Sequence, residues 1–144
     1  RIAQHRERAA GAIDDRDDGR GERSPVTARE LVRLLSSIHE KKLLPAGACD
    51  ALLDTLRKTQ TASSIRRGLP EARFRDRTPA RLFHKTGSLR GVVNDVGIVA
   101  TDRGAYAVAL LSKGSRDLRP TQDNVARVAL AEASRVIYRA MRAE

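Results

Sequence analysis

Three short extended runs follow one another with almost no chain between them, and this spacing constrains the fold more than any other feature. The runs cover residues 80–87, 92–101 and 105–112, and each is rich in the β-branched and small apolar residues typical of strands. The connections, residues 88–91 and 101–104, are too short for a parallel crossover, which needs about a dozen residues or more. The sequence therefore predicts an antiparallel three-stranded meander, with a hairpin between the second and third strands.

The segment before the meander starts with a strong helix signal. Ser24-Pro25 supplies a cap with a proline for the first turn, and Thr27 and Glu30 have the spacing of a capping box. Apolar residues then recur at helical spacing and predict a helix over about residues 26–40: Leu31, Leu34, Leu35 and Ile38.

Two more helices are predicted before the strands. Pro45 and Gly47 interrupt the chain ahead of a helix with one apolar face: Leu52, Leu53 and Leu56. A shorter helical segment, residues 61–67, ends at Gly68, because glycine suits the position after a helix. Pro70 then prevents the helix from continuing.

The last predicted element is a long helix over residues 121–142, opened by Pro120-Thr121. Its apolar residues recur at intervals of three and four, and most of its arginines lie off that face. These apolar residues are Val125, Val128, Ala129, Ala133, Val136, Ile137, Ala140 and Met141. We expect this alanine-rich stripe to lie against one face of the meander.

Together these elements predict an α+β fold, with the long C-terminal helix packed on the meander and two to three helices upstream. Residues 1–23 are dense in charge and predict an exposed loop or a partial helix. Residues 24–144 predict the folded part, with helices in 24–70, the sheet in 80–113 and the last helix in 121–142.

Composition argues against several classes of function. The chain has 28 basic and 18 acidic residues, but its arginines are scattered over every segment, and four aromatic residues are too few for a base-stacking platform. We therefore expect no nucleic-acid partner. A single cysteine, Cys49, and three histidines without ligand spacing, His5, His39 and His84, predict neither a metal site nor a cofactor. No apolar stretch is long enough to span a membrane.

The chemistry of the chain is concentrated in Phe83-His84-Lys85-Thr86-Gly87-Ser88, at the end of the first predicted strand. The Lys85 ammonium can attract a carboxylate, and the Thr86 hydroxyl can donate a hydrogen bond to it. Gly87 has no side chain to hold a ligand away from the backbone. The N–H of Ser88 would supply one donor of an oxyanion hole for an acyl substrate paired along the strand.

Lys85-Thr86-Gly87, followed by Ser88 and a strand with Asn94-Asp95, resembles the C-terminal part of the class A β-lactamase family, which shares its fold with penicillin-binding transpeptidases. Segments 24–35 and 65–70 and the terminal helix match the family in the same order, so the resemblance covers about residues 24–142. It implies that the meander is part of a larger sheet, completed by a missing N-terminal portion of the same fold.

The resemblance also implies a role for each motif residue. Lys85 would be catalytic, orienting the site electrostatically and assisting a proton shuttle. Thr86, Gly87 and Ser88 would bind substrate, the two hydroxyls contacting the carboxylate of a β-lactam or of an acyl-D-Ala-D-Ala-like peptide. The substrate partner is therefore one of these two classes.

Three further residues match positions that support the site in the family. Arg66 matches a structural arginine, with neighbouring Arg67 as the alternative one position on. Asn94 and Asp95 would hold the second strand and its neighbours rather than touch substrate.

The family's nucleophile motif is absent from this chain. No serine here is followed by lysine three positions later, and neither asparagine has a serine two positions before it, so Ser-x-x-Lys and Ser-x-Asn are both missing. Without an activated nucleophile no covalent step is available, so we expect this chain alone to be inactive. The resemblance implies a C-terminal fragment of a bacterial serine hydrolase, periplasmic or secreted.

Three other interpretations stay open from the sequence. The chain could be a non-catalytic or truncated relative that binds a carboxylate or peptidoglycan-like ligand, or part of a D-alanyl-D-alanine peptidase. Alternatively, Lys85-Thr86-Gly87 is a polar turn that protects a strand edge.

Overall fold

The computed structural model of the chain describes residues 26–61, 63–70 and 80–142. The predicted charged start, residues 1–23, and the predicted cap Ser24-Pro25 lie outside these residues. The elements follow in the order α1 (Ala28–His39), α2 (Ala46–Arg57), α3 (Ser64–Gly68), β1 (Arg81–Leu89), β2 (Val92–Thr101), β3 (Gly104–Ser112) and α4 (Val125–Arg142).

Helix α1 begins at the predicted capping box. The Oγ1 of Thr27 accepts from the N–H of Glu30 at 3.2 Å, and the Glu30 carboxylate accepts from the N–H of Thr27 at 2.7 Å. Two N–H groups that the helix leaves without partners are thereby satisfied. Of the predicted apolar stripe, Leu35 and Ile38 are buried, whereas Leu34 is exposed.

Helix α2 begins after Pro45, as predicted, but Gly47 lies inside its first turn and does not interrupt the chain. Its buried residue is Cys49, whose thiol donates to the C=O of Leu44 at 3.4 Å. The predicted leucine face is half-buried: Leu52, Leu53 and Leu56. The most buried residue of α2 is therefore Cys49, which was not among the apolar residues used to predict this helix face.

The sheet is the predicted antiparallel meander, in the order β1-β2-β3. The turn between β1 and β2 contains two residues, Arg90 and Gly91, and the next turn contains Asp102 and Arg103. Gly91 has φ of 71°, a left-handed conformation that favours glycine in such tight turns. The first strand runs through Leu89, two residues beyond its predicted end, because Leu89 still pairs with Val92.

Gly68 has a different role from the predicted one. It is the last residue of α3 and does not have the positive φ of a residue after a helix. A Cβ at this position would lie 2.5 Å from the C=O oxygen of Ala131 and from Cβ of Ser134 on α4. Gly68 is therefore required by the close approach of α3 to α4, which is also joined by a hydrogen bond from Ser134 Oγ to the C=O of Ile65 at 3.0 Å.

Helix α4 begins at Val125, four residues after its predicted start, because Asn124 caps it. The Asn124 side chain accepts from the N–H of Ala126 at 3.0 Å. The predicted apolar stripe is wrong in part, since Val125 and Val136 are exposed at 63% and 64%. The buried face consists of small and amphipathic residues because α3 lies so close: Ala126, Ala131, Ser134 and Tyr138.

The main core lies between one face of the sheet and the pair α3 and α4. It is formed by Ile65, Leu69, Leu82, Val99, Tyr106, Val108, Leu110 and Tyr138. Ile98, the neighbour of Val99, is fully buried on the opposite face, where α1 contacts β2 and β3 and α2 contacts β1. The predicted α+β fold, a meander with a long C-terminal helix packed on it and helices upstream, is confirmed.

Candidate functional site

The predicted substrate-binding residues lie on β1, along the edge of the sheet. In the part of the chain that the structure describes, β1 is paired on one side only, with β2. Lys85, Gly87 and Ser88 are exposed and Thr86 is half-buried. The motif thus presents both side chains and unpaired backbone groups at one edge.

The backbone of Ser88 points off this edge. The N–H of Val93 donates to Ser112 Oγ at 3.1 Å, and its C=O accepts from the same hydroxyl at 2.7 Å, so Val93 faces β3. Successive strand residues direct their backbone N–H and C=O groups to opposite sides. The backbone groups of Asn94 therefore face β1, where its partner is Gly87. The N–H of Ser88, one residue further, is therefore directed away from β2, where a ligand could accept from it.

The side chain of Lys85 follows the same edge. Its Nζ donates to the C=O of Thr86, which by the same alternation also points away from β2. A Cβ at Gly87 would meet no atom within 4 Å, so the space beside the strand is open at that position. An extended ligand could therefore pair with the edge next to an ammonium group.

Arg127 lies beside the predicted site, and the sequence interpretation missed it. Its Nη2 donates to Ser88 Oγ at 3.3 Å, and its Nε is buried and has no hydrogen-bond partner among the described residues. A half-buried guanidinium next to a hydroxyl suits an anionic ligand. The sequence contained no such signal, because the helix predicted from residue 121 placed Arg127 in its second turn. With the observed start at Val125, Arg127 lies in the first turn, where a cation opposes the helix dipole.

A cavity of about 500 Å³ adjoins this pair of residues, between the β1–β2 turn and the loop before α4. Ser88, Arg90 and Arg127 contribute to its wall. Lys85, Thr86 and Gly87 do not line it; they lie along the open edge that leads to it. The concave and cationic part of the site is therefore next to Ser88.

The loop that closes this cavity is held by a polar network. Asn124 Nδ2 donates to the C=O groups of Asp117 and Arg119 at 2.8 and 2.9 Å. The Arg119 guanidinium and the N–H of Val125 hold the pKa of Asp117 well below its usual range. Asp117 therefore stays ionised in acidic solution where an ordinary aspartate would take up a proton, and the wall of the cavity keeps its hydrogen bonds there.

Asn94 and Asp95 both lie on β2 and bond to protein groups. Asn94 Oδ1 accepts from the N–H of Ser112 at 3.0 Å, which links β2 to β3. Asp95 is buried, and its Oδ2 accepts from Ser63 Oγ at 2.5 Å and from the N–H of Ile65 at 2.9 Å. Both side chains thus bond to other protein groups, and the supporting role expected of them stays a prediction.

The two neighbouring arginines of α3 differ in their surroundings. Both are exposed, and the N–H of Arg66 donates to Ser63 Oγ at 3.1 Å as part of the helix cap. The guanidinium of Arg67 donates to the C=O of Gln122, in the loop before α4. The long-range contact of this pair is thus made by Arg67, the alternative position.

Residues 26–61, 63–70 and 80–142 contain neither a candidate metal site nor a candidate membrane span. No group of three or more His, Cys, Asp and Glu side chains there could hold a metal ion. Within the same ranges, no helix combines the length and the apolar character that crossing a membrane requires.

Comparison with known proteins relates this fold to one family. The model of the Beta-lactamase enzyme family matches residues 3–141. Among solved structures, PBP-A is 30% identical with a TM-score of 0.66, over 81% of this chain and 40% of PBP-A. A mutant of PBP-A, solved as an acyl-enzyme complex with penicillin G, has the same values. No curated protein matches the chain significantly in sequence.

A β-lactamase from Sphaerobacter thermophilus is 27% identical with a TM-score of 0.64, over 80% of this chain and 40% of that structure. The chain thus spans about 40% of the length of the solved structures it resembles. Since the family model extends over residues 3–141 and the fold agrees with these structures, the chain belongs to the Beta-lactamase enzyme family.

Proposed function

We propose that this chain is the C-terminal part of a β-lactamase-like serine hydrolase that opens β-lactams through an acyl-enzyme. In this proposal the chain supplies the substrate-binding strand β1, and the nucleophile comes from a segment outside it. The observation that carries the proposal is the edge of β1, where Lys85 Nζ, the Ser88 N–H and open space beside Gly87 occur together. That combination fits an acyl substrate bearing a carboxylate.

The substrate carboxylate would bind where positive charge and hydroxyl donors converge. Thr86 and Ser88 would donate to it, and Lys85 would attract it and assist proton transfer to the leaving nitrogen. Arg127, already bonded to Ser88 Oγ at 3.3 Å, would add a second cation on the other side of the hydroxyl. Charge-assisted hydrogen bonds of this kind are about twice as strong as neutral ones.

The acyl carbonyl would lie over the edge of the strand. The Ser88 N–H, directed away from β2, would donate to the oxyanion that forms when the nucleophile attacks. One donor is half of the usual pair, so the second would come from the segment that carries the nucleophile. The proposal therefore requires Ser-x-x-Lys in that segment.

Covalent labelling of the full-length protein tests this function. Incubation with a fluorescent penicillin is expected to give one adduct per molecule that survives denaturation, because an acyl-enzyme is covalent. An excess of unlabelled penicillin, present together with the labelled one, should prevent labelling because both compete for the same serine. A full-length protein that contains no Ser-x-x-Lys and never forms the adduct contradicts the hydrolase proposal.

A D-alanyl-D-alanine peptidase is a second candidate, favoured by the 30% identity to PBP-A, whose mutant was solved as a penicillin G acyl-enzyme. The same labelling separates the two. A hydrolase that turns over β-lactams loses the label with time, whereas a peptidase retains it and releases D-alanine from an acyl-D-Ala-D-Ala peptide. A non-catalytic relative would bind penicillin reversibly and give no adduct.

A further inference from the structure

A buried carboxylate, that of Asp95, lies on β2 beside the proposed substrate-binding strand β1. Only one of its two oxygens accepts hydrogen bonds among the described residues. Asp95 is 1% exposed and pairs across the ladder with Thr86, the central residue of the motif. Its Oδ2 accepts from Ser63 Oγ and from the N–H of Ile65, both at the start of α3. Asp95 therefore fastens α3 to the middle of the sheet.

The other oxygen of this carboxylate faces His84. Asp95 Oδ1 lies 3.4 Å from His84 Nδ1, and neither atom has another hydrogen-bond partner among the described residues. His84 is 3% exposed and directly precedes Lys85. A buried carboxylate oxygen without a donor is costly, so the imidazole N–H facing it is the group that can satisfy it.

The close approach of β1 and β2 at Gly97 brings the imidazole of His84 near Asp95. His84 pairs with Gly97 on β2, and a Cβ at Gly97 would lie 2.5 Å from the C=O oxygen of Phe83 and 2.9 Å from Cβ of His84. Only glycine allows β1 to approach β2 at this point. The missing side chain thus leaves His84 in reach of Asp95.

We propose that His84 carries its proton on Nδ1 and donates it to Asp95, so that α3, β2 and β1 are joined through one carboxylate. The pair holds the edge strand in the position where Lys85 and Thr86 meet the substrate. In this sense His84 and Asp95 are positioning residues, and the part concerning substrate rests on the proposed function. An edge strand needs such a tie because its other side is unpaired among the described residues.

The protonated nitrogen of His84 can be identified by ¹⁵N–¹H correlation NMR on the full-length protein. The expected spectrum shows the His84 proton on Nδ1, and Asp95→Asn moves the Nδ1 resonance because the acceptor has changed. A spectrum with the lone pair on Nδ1 and the proton on Nε2 overturns the proposal. This readout does not depend on enzymatic activity.

Variants of His84 test the positioning role. His84→Asn keeps an N–H donor near the place of Nδ1 and should retain most of the acylation rate, whereas His84→Phe should lose about 10- to 100-fold, since a small displacement of a binding group has that effect. Val99→Ala is the matched control, because Val99 is also buried and pairs with Leu82, which places it on the same face of the sheet as His84. It should reduce stability without a comparable loss of acylation.

Amide hydrogen exchange tests the positioning role without an acylation assay. If the protein forms no penicillin adduct, the proposed function fails, but this test of His84 and Asp95 can still be made. Lys85 and Gly87 direct their N–H groups toward β2, and His84→Phe should speed their exchange more than Val99→Ala does. Equal exchange in the two variants, or full acylation by His84→Phe, overturns the positioning role.

Discussion

Replacing Lys85 with alanine in the full-length protein is expected to slow acylation by penicillin roughly 100-fold or more, as loss of an electrostatic catalytic group does. The same change should leave the free energy of unfolding within about 0.5 kcal/mol, because Lys85 is exposed and its Nζ donates to the neighbouring C=O of Thr86 on the same strand. Stopped-flow acylation and urea unfolding measure the two quantities.

Arg81→Ala is the matched control for this experiment. Arg81 is an exposed cation on the same strand, and its even spacing from Lys85 places it on the same face of the sheet. Its removal should change acylation by less than about twofold, since a cation this far along the strand is largely screened. Equal acylation rates for Lys85→Ala and the wild type would remove Lys85 from the mechanism.

Replacing Gly68 with alanine is expected to destabilise the protein by about 2 kcal/mol or more, as overpacking in a close contact does. The new Cβ would lie 2.5 Å from the C=O oxygen of Ala131 and 2.7 Å from the N of Arg135, and backbone atoms of α4 cannot move aside singly. Helix α3 would have to shift, which would strain the hydrogen bond from Ser134 to Ile65. Urea unfolding of the full-length protein gives the change.

Gly47→Ala provides the contrast for this experiment. Gly47 lies in the first turn of α2, where a Cβ would meet nothing within 4 Å. Alanine favours a helix over glycine by up to about 1 kcal/mol, so this variant should be as stable as the wild type or more stable. A Gly68→Ala protein with unchanged stability would show that α3 and α4 are not in close contact.

The parts of the fold that depend on neighbouring residues could be predicted from the sequence. The capping box of Thr27 and Glu30 lies within one helical turn, and the meander is predicted from two connections of four residues each, 88–91 and 101–104. Both are local arrangements, which turn chemistry and hydrophobic period determine. The motif on β1 could be placed for the same reason.

Contacts between distant parts of the chain could not be predicted in this way. The sequence predicts Gly68 as the residue that ends a helix. Its contact with α4 depends on the tertiary structure and could not be predicted from local sequence. The close packing of α3 on α4 buries Ser134, whereas Val136 is exposed. The face of α4 predicted as apolar is therefore not its buried face. Packing distance, rather than hydrophobicity, decided which side of this helix turns inward.

The site has the same division between local and distant contributions. Lys85, Thr86 and Ser88 are consecutive or nearly so, and their common edge follows from strand geometry. Arg127 reaches Ser88 across 39 residues and Asp95 reaches Ser63 across 32, and no spacing rule relates residues so far apart. These partners could be found only once the fold had placed them.

The structure of the full-length protein with penicillin bound as an acyl-enzyme would show whether β1 is the substrate-binding strand. We predict that the penicillin carboxylate lies within hydrogen-bond distance of the hydroxyls of Thr86 and Ser88, with the Lys85 ammonium and the Arg127 guanidinium beside it. The acyl oxygen should accept from the N–H of Ser88. An acyl-enzyme whose carboxylate and carbonyl both lie away from the edge of β1 would contradict the assignment of this strand as the substrate-binding element.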